Sequence, residues 1–259
     1  MPHVLPRPAA SSSGMPAVRA VAVAAPFRWL RAGFDDLRRT PLLSLAIGAV
    51  VASIGAFLVT AAWTITYLAP ACLGGFLLVA PFLGIGLYAM SRQIERGEPL
   101  DAGRAWLSWQ RNAGSIAMFG LMLTLAYVFW ERAAAIIFAF HYDGEPLVWS
   151  RLPSELLLSR RFDGLLLSYF GAGAVMATLV FVFSVVAAPL LLDRPVDAIT
   201  AVLTSLHCCL RNPGATLLWA LLIAGLTALG FATAMLGLVV VFPWLAHASW
   251  HAYRDMVAD

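Results

Sequence analysis

Three times along this chain an arginine and a short polar or proline corner lead straight into an apolar run. The corners are Arg39-Thr40-Pro41, Arg111-Asn112-Ala113 and Arg211-Asn212-Pro213. Each run is long enough to cross a bilayer and return, given about 20 residues for one helical crossing. Every return leg carries a proline near its end, at Pro81, Pro189 and Pro243, and an arginine where the apolar stretch stops, at Arg92, Arg194 and Arg254. This pattern predicts an all-α, polytopic helical membrane bundle made of three divergent hairpin repeats.

The composition removes the soluble alternative. Apolar residues make up 61% of the 259 positions and charged residues 12%, where a soluble domain carries about 25% charged. Lipid must therefore be the solvent for much of the surface. All 17 basic residues are arginine, which reads as the coding bias of a GC-rich bacterium. Each is a permanently charged fork suited to phosphates. The net charge of +3 is thus a matter of membrane location and no signal for nucleic acid. Cys72, Cys208 and Cys209 fall in or beside apolar segments and read as reduced thiols.

Residues 1–25 hold four prolines and Ser11-Ser12-Ser13-Gly14 without a signal-peptide core, and read as a disordered cytoplasmic tail. Met15 is an alternative start. Residues 26–257 read as one six-helix membrane domain, with spans at about 42–64, 69–90, 113–138, 165–192, 214–230 and 232–252. The last pair is separated by a soft break at residues 227–233, so one long tilted helix is the rival there. Charge decides between them. With six spans, 13 arginines lie inside, against Arg132, Arg151, Arg160 and Arg161 outside, as the positive-inside rule requires. Both termini are then cytoplasmic, in a bacterial inner membrane.

An amphipathic helix over residues 27–40 places Phe27, Leu30, Phe34 and Leu37 on one face, suited to the headgroup layer. Shorter counterparts precede the other hairpins, at Asp101 to Trp109 and from Asp197 to Leu203. Ser44, Gly48, Ala52 and Ala56 make a small-residue ridge that lets helices approach closely. Pro81, Pro189 and Pro243 should kink their helices, either lining a cavity or fixing packing.

Chemistry is sparse. His247 and His251, four apart, share one helix face and could hold a divalent metal, with His207 as a third ligand, or a haem. They equally suit an aromatic belt with Trp244, Trp250 and Tyr253. Glu131 and Arg132 interrupt an apolar run, but Glu131 lies roughly 27 Å along its helix from Ala113, near the outer headgroups. Arg39, Arg92, Arg96, Arg111, Arg194, Arg211 and Arg254 are candidates for docking lipid headgroups or a partner membrane protein. No catalytic motif is present.

Three stretches resemble a proteobacterial six-helix integral membrane family of unknown function: residues 84–98, Pro189 to Ala198, and His247 to Arg254. The resemblance covers about residues 25–257. It implies a six-helix inner-membrane protein and brings no catalytic residues, although the His-x-x-x-His end recurs in the family. The expected function is a non-enzymatic accessory, assembly or scaffolding component without a cofactor. The alternatives are a transporter or lipid-handling protein with a cavity between kinked helices, and a haem- or metal-binding protein.

Overall fold

The computed structural model describes residues 15–64, 84–141 and 162–258. Regular structure among them is helical, apart from one bridge between Val18 and Val257. In chain order, α1 is Ala25–Arg39, α2 Pro41–Thr64 and α3 84–95; α4 is Ala102–Leu107 and α5 Ala113–His141. Then α6 is Asp163–Ser184, α7 Ala187–Asp193, α8 Ala198–Arg211, α9 Pro213–Ala232 and α10 Leu238–Met256. A 3₁₀ turn over Ser108–Asn112 joins α4 to α5.

Among the described residues, four stretches are long and apolar enough to cross a membrane: Pro41–Leu58, Ala102–His141, Asp163–Asp193 and Pro213–Ala232. Only 22–39% of their most apolar windows is buried inside the protein, which leaves most of that surface for lipid. The all-α membrane class stands, while six crossings are two more than these. α10 dilutes its apolar residues with His247, Ser249, His251 and Arg254, and the residues before α3 lie outside those described. Pro81, Cys72 and residues 142–161 of the outer segment lie outside the described residues.

The rival single helix over 214–250 is corrected. The chain turns at residues 233–237, later than the soft break suggested, with Ala234 and Met235 in left-handed backbone at φ 51° and 71°. Thr233 holds the turn: its hydroxyl donates to the Gly230 carbonyl at 2.8 Å and accepts from the Gly237 N–H at 2.7 Å. A threonine that takes the backbone partners of a continuing helix ends that helix.

The helix that leads to Pro189 is interrupted. A proline ring clashes with the carbonyl four residues back, and the interruption falls at residues 185–186 between α6 and α7. Ser205 of α8 fills the gap, accepting from the Val186 N–H at 3.4 Å and donating to the Val182 carbonyl at 2.7 Å. Pro243 stays inside α10.

α1 departs from the sequence expectation in its orientation. Its buried face is Trp29, Leu30, Gly33, Asp36 and Leu37, whereas Phe27 is exposed. The helix packs against α10 so closely that a Cβ on Gly33 would lie 2.4 Å from the Ala248 nitrogen. α10 is thus held by α1 on one side and α2 on another, and Trp29 meets Trp219 of α9 edge-on at 5.7 Å.

The termini meet at one end of the bundle. Arg19 N–H donates to the Met256 carbonyl and Ala258 N–H to the Ala17 carbonyl, each at 2.8 Å. Asn212 ties the same strand to the third corner, accepting from Val21 N–H at 2.8 Å and donating to the Arg19 carbonyl at 3.0 Å. Residues 17–21, assigned to the tail by sequence, are therefore held between the C-terminus and the start of α9.

Candidate functional site

At this same end a chain of polar side chains runs through the buried seam between α1, α2, α3 and α10. It starts at the Asp36 carboxylate, which accepts from Ser91 Oγ at 2.7 Å. Ser91 Oγ lies 2.7 Å from His247 Nδ1, and His247 Nε2 lies 3.0 Å from Ser44 Oγ. Ser44 Oγ is 2.9 Å from Thr40 Oγ1, which donates to the Asp36 backbone carbonyl at 3.0 Å. Ser44, Ser91 and His247 are 0% exposed and Asp36 is 4%. His251, one turn beyond His247 and partly exposed, approaches the same Asp36 oxygen through Nε2 at 2.8 Å.

The two histidines are brought together, but around a carboxylate and two hydroxyls. Both ring nitrogens of His247 face serine hydroxyls. His207 is exposed on α8, and among the described residues no three His, Cys, Asp or Glu side chains lie where they could hold a metal. Asp36, Ser44 and Ser91 carry this site, and sequence reasoning did not assign them to it. Ser44 stood out only as a small residue. Asp36 had one signal, an acid on the same helical stripe as Leu30, Gly33 and Leu37.

Around this seam Arg92, Arg96 and Arg254 gather at Asp193 and Glu95. Arg96 pairs with Asp193 at 3.1 Å, while Arg92 donates to the Leu192 carbonyl at 3.1 Å. Arg254 pairs with Glu95 at 2.9 Å, and Trp250 Nε1 donates to the same carboxylate at 2.8 Å. Arg194 reaches the Ala258 carbonyl at 2.6 Å and Tyr253 at 3.1 Å. Burial, then the neighbouring Arg96, push the Arg92 pKa below its ordinary value. These four cations thus tie the ends of α3, α7 and α10 together. Arg39, Arg111 and Arg211, one at each hairpin start, are exposed.

Two further groups complete the survey. Glu131 and Arg132 pair with each other in α5, with Arg132 well exposed. Beside them Trp130 meets Tyr169 edge-on at 5.3 Å, the composition of an interfacial belt. Cys208 and Cys209 are free and buried on α8. Burial pushes their thiols up to about 12 and about 11.

Between α2, α3, α6, α7, α9 and α10 lies a cleft of about 470 Å³, walled by Val51, Tyr88, Phe181, Ala188, Ile223 and Phe242 among others. The volume falls within the 300–1,000 Å³ of small-molecule sites, and the walls are predominantly apolar. Ala188 adjoins Pro189 and Phe242 adjoins Pro243, so the cleft sits where two return helices are disturbed. Trp219 is another wall residue. Its indole N–H is, among the described residues, the buried side-chain polar atom left without a hydrogen-bond partner.

Residues 68–193 match the model of a family described as a predicted integral membrane protein, DUF2189. No curated protein and no solved structure matches the chain. The matched stretch ends with α7 and includes α3, α4, α5 and α6. Together with the long apolar helices it identifies a multi-pass integral membrane protein, similar to a family of unknown function.

Proposed function

We propose that this protein crosses a bacterial inner membrane six times, with both termini cytoplasmic, and holds a lipid-class molecule in the cleft between its proline-disturbed return helices. The observation that carries the reading is the cleft itself. An apolar cavity of about 470 Å³ inside a bundle already surrounded by hydrocarbon suits one acyl or isoprenoid chain. The predominantly apolar lining weighs against a polar solute or ion as cargo, because such species need polar groups along their path.

An even number of crossings is supported by the pairing of Val18 with Val257, which puts the two ends of the described chain on one side. Six are supported by the meeting of α3, α7 and α10 at that end, each returning from a hairpin that starts there. The test is native mass spectrometry of the protein extracted in mild detergent, with lipid analysis of what stays bound. Wild type should retain a stoichiometric apolar ligand, and a cleft-filling Ala224→Phe variant should lose most of it. A purified protein carrying only the bulk lipid mixture, unchanged by Ala224→Phe, would sink the proposal.

The accessory or scaffolding reading keeps one observation in its favour. Arg39, Arg111 and Arg211 stay exposed at the three corners, while Arg92, Arg96, Arg194 and Arg254 are occupied within the protein. A partner membrane protein or anionic headgroups would meet those three cations. A stoichiometric partner released by neutralising them would favour this second reading.

A further inference from the structure

The polar chain beginning and ending at Asp36 contains five contacts: carboxylate to Ser91, Ser91 to His247, His247 to Ser44, Ser44 to Thr40, and Thr40 to the Asp36 carbonyl. Each contact is at 3.0 Å or less, so each needs a proton between its two heavy atoms. Both ends of the chain are acceptors. Between them stand three hydroxyls and one imidazole, and in its neutral form each of these four groups supplies one proton. Four protons cannot fill five contacts. One pair of lone pairs would then face each other in a site closed to water, at the cost of an unmade buried hydrogen bond.

We infer that this seam is a proton-binding site: Asp36 and His247 together hold one proton beyond carboxylate and neutral imidazole. With that proton on His247, both ring nitrogens donate, to Ser91 and to Ser44. Ser91 then donates to the carboxylate, Ser44 to Thr40, and Thr40 to the carbonyl. With the proton on Asp36 the direction reverses between Asp36 and His247, the carboxylic acid donating to Ser91 and Ser91 to Nδ1. Either way all five contacts are filled, and the proton belongs to the pair rather than to one residue. The charge of the buried pair is also zero in the protonated state, as its burial favours.

The groups acting on the site come from every helix that walls it. α1 contributes Asp36, and α10 contributes His251, whose Nε2 lies 2.8 Å from the same carboxylate oxygen that Ser91 meets. α2 contributes only the hydroxyl of Ser44. α3 contributes Ser91, while its Arg92 and Glu95 turn to Leu192 and to Arg254 and Trp250. Because the chain fastens α10 to α1, α2 and α3, the proton is part of what holds the third hairpin to the first.

The counting makes a specific test possible, because cutting the chain anywhere removes the deficit. In Ser44→Ala, two contacts remain on the Asp36–Ser91–His247 side and neutral groups fill both. In Asp36→Asn, an amide N–H replaces the missing donor. The experiment is nitrogen NMR of histidine-labelled protein in nanodiscs of phosphatidylethanolamine and phosphatidylglycerol, with infrared detection of a protonated carboxyl. At neutral pH the wild type should show either a doubly protonated His247 or a carboxylic acid band that Asp36→Asn removes. Ser44→Ala and Asp36→Asn should both show neutral His247 and no such band. A neutral His247 beside an ionised Asp36 in the wild type at neutral pH overturns the inference. A variant that fails to fold leaves the wild-type spectrum and the other variant to decide.

Discussion

Gly48 of α2 lies directly on the carbonyl of Val239 in α10, so close that a Cβ built on the glycine would sit 2.0 Å from the oxygen. Val239 is four residues before Pro243, so its carbonyl is the one whose helical partner the proline removes. The carbonyl that Pro243 leaves without a helical partner in α10 and the missing side chain on α2 are therefore one device: the freed oxygen is covered by backbone from the neighbour. Such contacts are how helices associate where lipid supplies no hydrophobic drive.

Gly48→Ala must push α2 off α10. Overpacking at such a contact costs about 1–3 kcal/mol, and Gly48→Val should cost more. Thermal unfolding in detergent reads the loss. A midpoint unchanged in Gly48→Val would mean that the two helices do not meet at this residue.

Ser205→Ala removes the hydroxyl that serves both Val186 N–H and Val182 carbonyl at the Pro189 break. Unpairing buried backbone groups costs about 1–3 kcal/mol. Ser205→Thr keeps the hydroxyl and should recover part of the stability, whereas Ser205→Cys should not. Equal midpoints for all three variants would contradict the plugging role.

Cys208 and Cys209, with thiols pushed up to about 12 and about 11 by burial, carry almost no thiolate at neutral pH. In a Cys72→Ser background the folded protein should resist maleimide, since the thiolate is the reacting form. It should label at both sites after denaturation in dodecyl sulfate. Rapid labelling of the folded protein would place α8 differently.

Asp197 caps α8, its carboxylate accepting from Thr200 N–H at 2.8 Å and from the Thr200 hydroxyl at 2.6 Å. Those two bonds hold its carboxyl below the ordinary carboxylate range, the side-chain bond contributing most. Asp197→Ala should cost up to about 1 kcal/mol, as for other N-caps. The sign is that of a depressed acid: the contribution is present above the unfolded pKa and fades as pH falls through the folded one. The wild-type advantage in midpoint should therefore be the same at neutral and mildly acidic pH.

Much of the framework was legible without coordinates. Thr40-Pro41 and Asn212-Pro213 announce helix starts because a proline at the first position loses no bond. Asp101 and Asp197 cap helices that their sequence positions foretell. Pro189 marks its own break. The division of residues 214–250 followed from where arginines must lie, although the turn at Thr233 to Gly237 came later than expected. Its signal is left-handed backbone at Ala234 and Met235, which side-chain identity does not advertise.

The site was not legible, for reasons of distance and degeneracy. Asp36 and His247 are 211 positions apart in the sequence, and a single aspartate on an amphipathic helix reads as solvent-facing until α10 is packed over it. Ser44 and Ser91 look like small packing residues, because a serine fills the same ridge whether or not its hydroxyl meets a histidine. Arg92, Arg194 and Arg254 read as membrane anchors, since sequence records a charge at an interface and says nothing of which acid it meets. By itself, then, the sequence determined the lipid solvent, the helical class and the corners where crossings begin, because these depend on local composition and period. Only the tertiary structure decided which face of α1 is buried, where the prolines' freed backbone finds cover, and that a carboxylate and an imidazole close one buried chain. Those outcomes depend on which helices touch, and contact between distant segments is set by packing rather than by any residue's own preference.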